Sequence, residues 1–108
     1  MAKFLFVYYG GKMSASPKEV EKSNNEWMAW FKALGKSVVD PGAPTMPGKV
    51  VSSTGTKAGV LGEPVTGYMV VNASDLDAAA KMAKGAPGMA DGLKVAVYLM
   101  MDMMMVKK

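Results

Sequence analysis

Residues 67–88, GYMVVNASDLDAAAKMAKGAPG, combine a buried strand, a capped helix and a glycine stop in one unbroken run. The apolar residues of 65–72 predict a strand. Ser74 is predicted to cap the helix that follows, and Asp75 and Asp77 favour the positive amino end of that helix. A strand that leads directly into a helix indicates a small α+β domain.

The packing face of this predicted helix consists of small side chains, so the helix can lie close to a sheet. Gly85 and Pro87 are predicted to end it. The residues expected on this face are Leu76, Ala79, Ala80 and Ala83.

The amino-terminal part of the chain predicts a second strand and helix. Residues 3–9, KFLFVYY, are apolar on both faces, as in a strand that is covered on both sides. Ser16, Pro17 and Glu19 form a capping box with proline at the first helical position, and Gly35 is predicted to end that helix. Its apolar residues recur at helical spacing: Val20, Trp27, Trp30, Phe31 and Leu34.

The rest of the chain adds short strands. Residues 37–40 and 49–53 are strand candidates, 54–64 are predicted to form a loop or a hairpin turn, and 93–101 the last strand. The resulting order, β-α-β-β-α-β, is that of a ferredoxin-like fold with two helices on one face of an antiparallel sheet. We expect one domain over residues 1–108, with a methionine-rich tail at 100–108.

Two helices on one face leave the other face of the sheet without cover. The outer-strand sequences FLFVYY and VAVYLMM are nevertheless apolar on both faces. The same sheet of a second copy, packed face to face, would cover them. The sequence therefore predicts a homodimer.

Composition narrows the function classes. The chain contains 13 lysines, no arginine and a net charge of +4, and the lysines are scattered, so no nucleic-acid surface is predicted. Cysteine and histidine are both absent, which removes disulfides, thiolate chemistry and imidazole chemistry. No cofactor and no metal are predicted. The apolar run at residues 4–9 is too short for a signal sequence, and no stretch approaches a membrane span, so we expect a cytoplasmic protein.

Four segments in this order resemble the YCII-related family of the dimeric α+β barrel group. They are KFLFVYYGGK, NEWMAWFKALGKSVVDPGAP, GYMVVNASDLDAAAKMAKGAPG and GLKVAVYLMMDM, and together they extend over nearly the whole chain. The resemblance implies a ferredoxin-like protomer, a homodimer with packed sheets, and an active-site cleft between helix and barrel.

The chain departs from this family at the positions that carry its chemistry. Many members have a histidine where this chain has Tyr9, and often another near Asp91. The founding branch pairs a histidine with an aspartate at the positions that Asn25 and Ala86 occupy here. The proposed His–Asp dyad therefore has no members in this chain.

The candidate site residues are phenols, an amide and a carboxylate. Asp40 and Tyr9 are the candidates for catalysis, and the same two residues with Asn25 and Tyr68 are the candidates for ligand binding. Asp40 precedes Pro41, so the alternative role for it is to accept backbone N–H groups in its own turn. Asp91 precedes Gly92 and is assigned to a turn for the same reason.

Two apolar groups have alternative interpretations. Trp27 and Trp30 are expected in the core, with ligand stacking as the alternative. The clustered methionines suit an adaptable interface, with a Cu(I) site as the alternative, and are Met100, Met101, Met103, Met104 and Met105.

Two function classes remain open. The first is a non-catalytic homodimeric module, or a degenerate family member, that binds a small apolar or aromatic ligand. The second is a lyase- or isomerase-like enzyme that uses Asp40 and Tyr9 in a cleft between the first helix and the sheet. The absence of imidazole and thiol groups favours the first.

Overall fold

The computed structural model describes residues 1–11 and 16–101, which form an α+β fold. The methionine-rich tail was predicted at residues 100–108, and its part from residue 102 onwards lies outside the described residues. In chain order the elements are β1 (Ala2–Tyr9), α1 (Pro17–Leu34), β2 (Val38–Asp40), β3 (Lys49–Ser52), β4 (Gly55–Ala58), β5 (Val65–Ala73), α2 (Leu76–Ala83) and β6 (Lys94–Leu99).

The main sheet has four antiparallel strands in the order β2-β5-β1-β6. With both helices packed on one face, this order confirms the predicted ferredoxin-like α+β fold. The central strand β1 pairs with β5 from Ala2 opposite Ala73, and with β6 from Phe4 opposite Leu99. β1 therefore lies inside the sheet and is not the outer strand that its sequence suggested, because β5 and β6 pair with its two sides.

The core lies between the helices and the face of the sheet that they cover. Alternate residues of β1 and β5 point to this face, because side chains alternate along a strand. Trp30 of α1 is buried over Phe6 of β1, with ring centroids 6.5 Å apart. The sheet residues buried here are Phe4, Phe6, Tyr8, Met69, Val71 and Ala73.

Helix α1 begins and ends as the sequence predicts. The Ser16 hydroxyl accepts a hydrogen bond from the Glu19 backbone N–H at 3.2 Å, and Gly35 ends the helix with a φ of 57°. Its packing face is narrower than predicted: Val20 is exposed, because it lies in the first turns of the helix, before the core begins. Trp30 is buried, and the half-buried residues are Trp27, Phe31 and Leu34.

Helix α2 begins one residue later than predicted. Asp75, not Ser74, is the capping residue, and its Oδ1 accepts a hydrogen bond from the Ala78 N–H at 2.8 Å. Ala79 and Ala83 are buried as predicted, one turn apart. Two other residues predicted on the packing face, Leu76 and Ala80, are exposed. This short helix contacts the core only through the side that carries Ala79 and Ala83, and Leu76 and Ala80 lie next to that side.

Residues 54–64 are more ordered than the predicted loop or turn. Strand β4 lies within them and pairs with β3, from Lys49 opposite Ala58 to Ser52 opposite Gly55. These two strands form a separate two-stranded sheet. We call residues 46–62, which contain this hairpin, the arm.

The outer edge of β5 is paired by β2 and by the segment that follows it. Val38 lies opposite Val71, and an isolated bridge joins Pro44 to Gly67. The Thr45 N–H then donates to the Thr66 carbonyl at 3.1 Å. The chain is thereby attached to β5 immediately before the arm begins.

On the face of the sheet away from the helices, the described side chains are half-buried or exposed, and none of them is fully buried. Tyr98 is 53% exposed there, although its neighbours along the face are mostly apolar. We call it the open face, and its residues are Leu5, Val7, Tyr9, Tyr68, Val70, Ala96 and Tyr98.

Candidate ligand site at Tyr8

Asp40 lies at the end of β2, exposed to solvent. Its Oδ1 accepts a hydrogen bond from the Gly42 N–H at 2.8 Å. The turn role predicted for Asp40 is therefore confirmed. The turn predicted around Asp91 is also confirmed, since the Asp91 N–H donates to the Gly88 carbonyl at 2.8 Å and Gly92 has a φ of 91°.

The structure does not bring Asp40 and Tyr9 together within a protomer. Tyr9 lies opposite Val65 across β5, whereas Asp40 lies opposite Val70 on the other side of that strand. Five residues of extended strand span about 17 Å, and β5 itself lies between the two. One small substrate cannot contact both side chains in this arrangement.

The other predicted ligand residues lie on separate surfaces. Tyr68 shares the open face with Tyr9, and the two are diagonal neighbours because Tyr68 lies opposite Val7. Asn25 is exposed on the outer side of α1. It lines a shallow open groove with Lys18, Glu21, Lys22, Glu26 and Ala29. Of the four, only Tyr9 and Tyr68 lie close together.

Tyr8 is one of the strand tyrosines of the sequence, but it was not among the four candidate ligand residues. Its side chain points to the helix-covered face and is 6% exposed. Its hydroxyl oxygen is buried and has no hydrogen-bond partner among the residues that the structure describes. Desolvation by burial raises the pKa of Tyr8 well above its ordinary value, so the phenol keeps its proton at neutral pH.

The surroundings of Tyr8 are aromatic and shaped to admit its ring. The Trp27 ring meets the Tyr8 ring edge-on, with centroids 5.1 Å apart. Gly67 makes room for the phenol, since a Cβ there would lie 3.0 Å from Tyr8 Cδ2. Trp27 contacts Trp30 at 5.6 Å and Phe31 at 6.1 Å. Because Trp27 is only half-buried, this cluster extends from the core to the surface of α1.

This arrangement can bind but has little capacity for acid–base chemistry. A protonated phenol donates one hydrogen bond, and the indole and phenyl rings offer flat apolar contacts. The alternation in KFLFVYY places Tyr8 on the same face as Phe4 and Phe6, so its burial could be found from sequence. Whether the Tyr8 hydroxyl has a hydrogen-bond partner could not be predicted from the sequence, because that depends on which groups the fold brings close to it.

A charged pair borders the open face. Lys94 of β6 lies opposite Tyr9, and its ammonium group pairs with the Glu63 carboxylate just before β5. Both side chains are largely exposed, so the pair contributes little to the stability of the protomer.

The methionines and tryptophans can be placed in part. Met100 and Met101 are exposed, while Met103, Met104 and Met105 lie outside the described residues. Trp30 is in the core as predicted, whereas Trp27 is at its border. Residues 1–11 and 16–101 contain no helix that is both long and apolar enough to cross a membrane.

Comparison with known proteins identifies the fold and not the family. No family model matches the chain, and no curated protein matches it. Among solved structures it is similar to the 5-chloro-2-hydroxyhydroquinone dehydrochlorinase TftG of Burkholderia phenoliruptrix AC1100, in complex with 2,5-dihydroxybenzoquinone. The TM-score is 0.54 at 15% identity, over 95% of this chain and 99% of that one. At this identity the likeness shows a shared α+β fold.

Proposed function

We propose that this chain is a cytoplasmic, homodimeric, small-molecule-binding protein of the YCII-related kind. Its ligand lies between α1 and the sheet, against Tyr8 and Trp27. One observation carries the binding role: the Tyr8 hydroxyl is buried and unpaired among the described residues.

The energetics of that hydroxyl define the ligand class. A buried polar group without a partner costs about 1–3 kcal/mol, and an acceptor atom from a ligand removes this cost. The aromatic rings around Tyr8 suit a flat apolar molecule. The proposed ligand is therefore a small aromatic or quinone-like compound with an acceptor oxygen. The ligand of the dehydrochlorinase, 2,5-dihydroxybenzoquinone, belongs to this chemical class.

A binding role fits the residues better than catalysis does. Asn25 and Ala86 do not exchange protons near neutral pH, so the family's dyad chemistry is not available. Catalysis by Asp40 and Tyr9 would need both groups at one substrate, but they lie far apart and the Asp40 carboxylate accepts the Gly42 N–H.

The open face supports the homodimer. It is continuous across β5, β1 and β6, and its aliphatic residues Leu5, Val7 and Val70 are only half-buried in the protomer. An uncovered apolar sheet face is typical of an interaction surface. Sedimentation at micromolar concentration should give about 23 kDa, twice the 11.4 kDa chain, and Val7→Lys should return it to the protomer mass. A parent that sediments only as 11.4 kDa would contradict the dimer.

The binding role is tested with a pair of probes that differ in one acceptor oxygen. Acetophenone has a carbonyl group on an aromatic ring, and ethylbenzene has a similar shape without it. Binding is followed by quenching of the fluorescence of Trp27 and Trp30, the two tryptophans of the chain. The parent should prefer acetophenone, and Tyr8→Phe should weaken acetophenone binding about tenfold while leaving ethylbenzene unchanged.

Stability provides the second readout for Tyr8. Because its hydroxyl has no partner among residues 1–11 and 16–101, Tyr8→Phe should raise the free energy of unfolding by about 1 kcal/mol or more. Tyr98→Phe is the matched control at a concentration where the chain is monomeric, since Tyr98 is half-exposed in the protomer, and it should change neither measurement. A Tyr8→Phe variant that is less stable than the parent, or binds both probes as the parent does, would contradict the proposed site.

A further inference from the structure

We infer that the arm, residues 46–62, docks onto the second copy of the chain and completes the interface that the open face begins. This inference rests on the proposed homodimer. It adds a second contact surface, distant in sequence from the open face.

The arm is almost entirely uncovered in its own protomer. From Met46 to Gly62 every residue is exposed except Val50, which is half-buried. Large apolar side chains are among the exposed ones: Met46 is 80%, Val51 74% and Leu61 82% exposed. An ordered segment with this much accessible apolar surface is typical of a binding element.

The arm is nevertheless well formed. Four residue pairs join β3 to β4, and the Gly59 N–H donates to the Gly48 carbonyl at 3.3 Å. At its tip the Ser52 and Thr54 hydroxyls are 2.9 Å apart. A two-stranded hairpin alone in water is marginally stable at best, so a hairpin of this regularity needs a surface to pack on.

Both ends of the arm are fixed beside the open face. Before it, the Thr45 hydroxyl donates to the Val65 carbonyl at 2.7 Å. After it, Glu63 reaches over the end of β1 to pair with Lys94, which lies opposite Tyr9 of the open face. A copy seated on the open face would therefore meet the base of the arm, and this continuity favours a second copy as the occupant.

The size of the open face points the same way. The three strands of the open face, about 4.8 Å apart and with about eight residues each, give a flat footprint of about 400 Å². A standard stable interface buries about 800 Å² on each partner. Most side chains of the open face are already half-buried in the protomer, so little accessible area is left there to bury. The arm is the neighbouring apolar surface that can add to it. In a two-fold dimer the contact occurs twice, because each copy gives one arm and receives one.

The first experiment measures dimer affinity. The double variant Val51→Asp/Leu61→Asp should raise the dimer dissociation constant at least about tenfold, measured by sedimentation equilibrium. Met28→Asp places the same charge on another exposed apolar residue, on the outer side of α1, and should leave the constant unchanged. Circular dichroism should show that both variants keep their helices, since none of these side chains is in the core.

The second experiment observes the arm directly and does not depend on charge. The chain has no cysteine, so Val51→Cys gives one labelling site per protomer. A nitroxide there should be immobilised in the dimer and become mobile when Val7→Lys separates the copies. A parent that is monomeric at all concentrations would overturn the homodimer itself. A dimeric parent whose affinity is unchanged by the double variant, or whose label stays mobile, would overturn the arm contact alone.

Discussion

The two faces of the main sheet are built from alternating residues of the same strands, yet they differ in what they contact. On the covered face Phe4 and Phe6 are at most 1% exposed, because α1 and α2 pack over them. Their neighbours on the open face, Leu5 and Val7, are equally apolar but keep part of their surface accessible. Burial on this sheet is decided by the partner layer and not by the hydrophobicity of the residue. The open face has the composition of a core but is only half-buried in the protomer.

The largest expected effect contrasts adjacent residues of β1. Phe6→Ala should lower the free energy of unfolding by about 3–5 kcal/mol, because Phe6 is fully buried against Trp30. Val7→Ala should cost about 1 kcal/mol or less at a concentration where the chain is monomeric. Urea denaturation of both variants measures the difference. Equal losses would mean that the protomer covers both faces.

Two glycine positions compare the packing of the core with that of the arm. Gly85→Ala would place a Cβ 3.0 Å from Trp30 Nε1, and overpacking of this kind costs about 1–3 kcal/mol. Gly48→Ala adds the same atom where nothing lies within 4 Å. Neither glycine has a positive φ, so Gly48→Ala should be neutral or stabilise by about 0.4–1 kcal/mol. The midpoint of thermal unfolding should therefore fall for Gly85→Ala, and it should stay unchanged or rise for Gly48→Ala.

Alkaline pH tests the burial of the Tyr8 phenol on the covered face. Burial raises the folded-state pKa of Tyr8, so above about pH 10 the unfolded chain ionises this phenol while the folded protein keeps it protonated. Tyr8 therefore lowers stability as pH rises past 10, by about 1.4 kcal/mol per pH unit. The stability advantage of Tyr8→Phe over the parent should widen in this range, in denaturation series at pH 8 to 11. An advantage of Tyr8→Phe that stays constant from pH 8 to pH 11 would rule out a buried Tyr8.

The smallest effect concerns the helix that helps cover the core. Asp75→Ala should cost about 0.5–2 kcal/mol, because it leaves the Ala78 N–H without its partner. Ser74→Ala should be close to neutral, since Ser74 precedes the capping position and is exposed. Chemical denaturation of the pair decides which residue caps α2. A larger loss for Ser74→Ala would return the helix start to its predicted place.

Local signals in the sequence located most elements of the fold. The capping box at Ser16 and the stop at Gly35 place α1, because both depend on contacts within a few residues. Ser74 and Asp75 show the limit of such signals: both are good capping residues, and only the packing of α2 on the sheet selects the second. Strand β4 was missed for a related reason, since its exposed residues Gly55–Ala58 show no apolar alternation.

The site was less predictable than the fold. The sequence offered Asp40 and Tyr9 as partners, but their separation depends on the register of two different strands against β5. Strand alternation puts Tyr8 and Tyr9 on opposite faces, while the position of the helices decides which hydroxyl is buried. The candidate site thus follows from long-range pairing, which a single sequence does not specify.

The bridge between Pro44 and Gly67 also has a consequence for sheet growth. An unpaired strand edge is a template on which further strands of other molecules can add, and proteins protect themselves by making such edges short or proline-containing. On the β5 side the edge consists of the three-residue strand β2 and then of Pro41 and Pro44, which have no backbone N–H to donate. On the β6 side the edge is a six-residue strand with Lys94 at its start. Fibrous aggregation of this chain by strand addition is therefore directed to β6, and that edge is where a solubilising substitution would be placed.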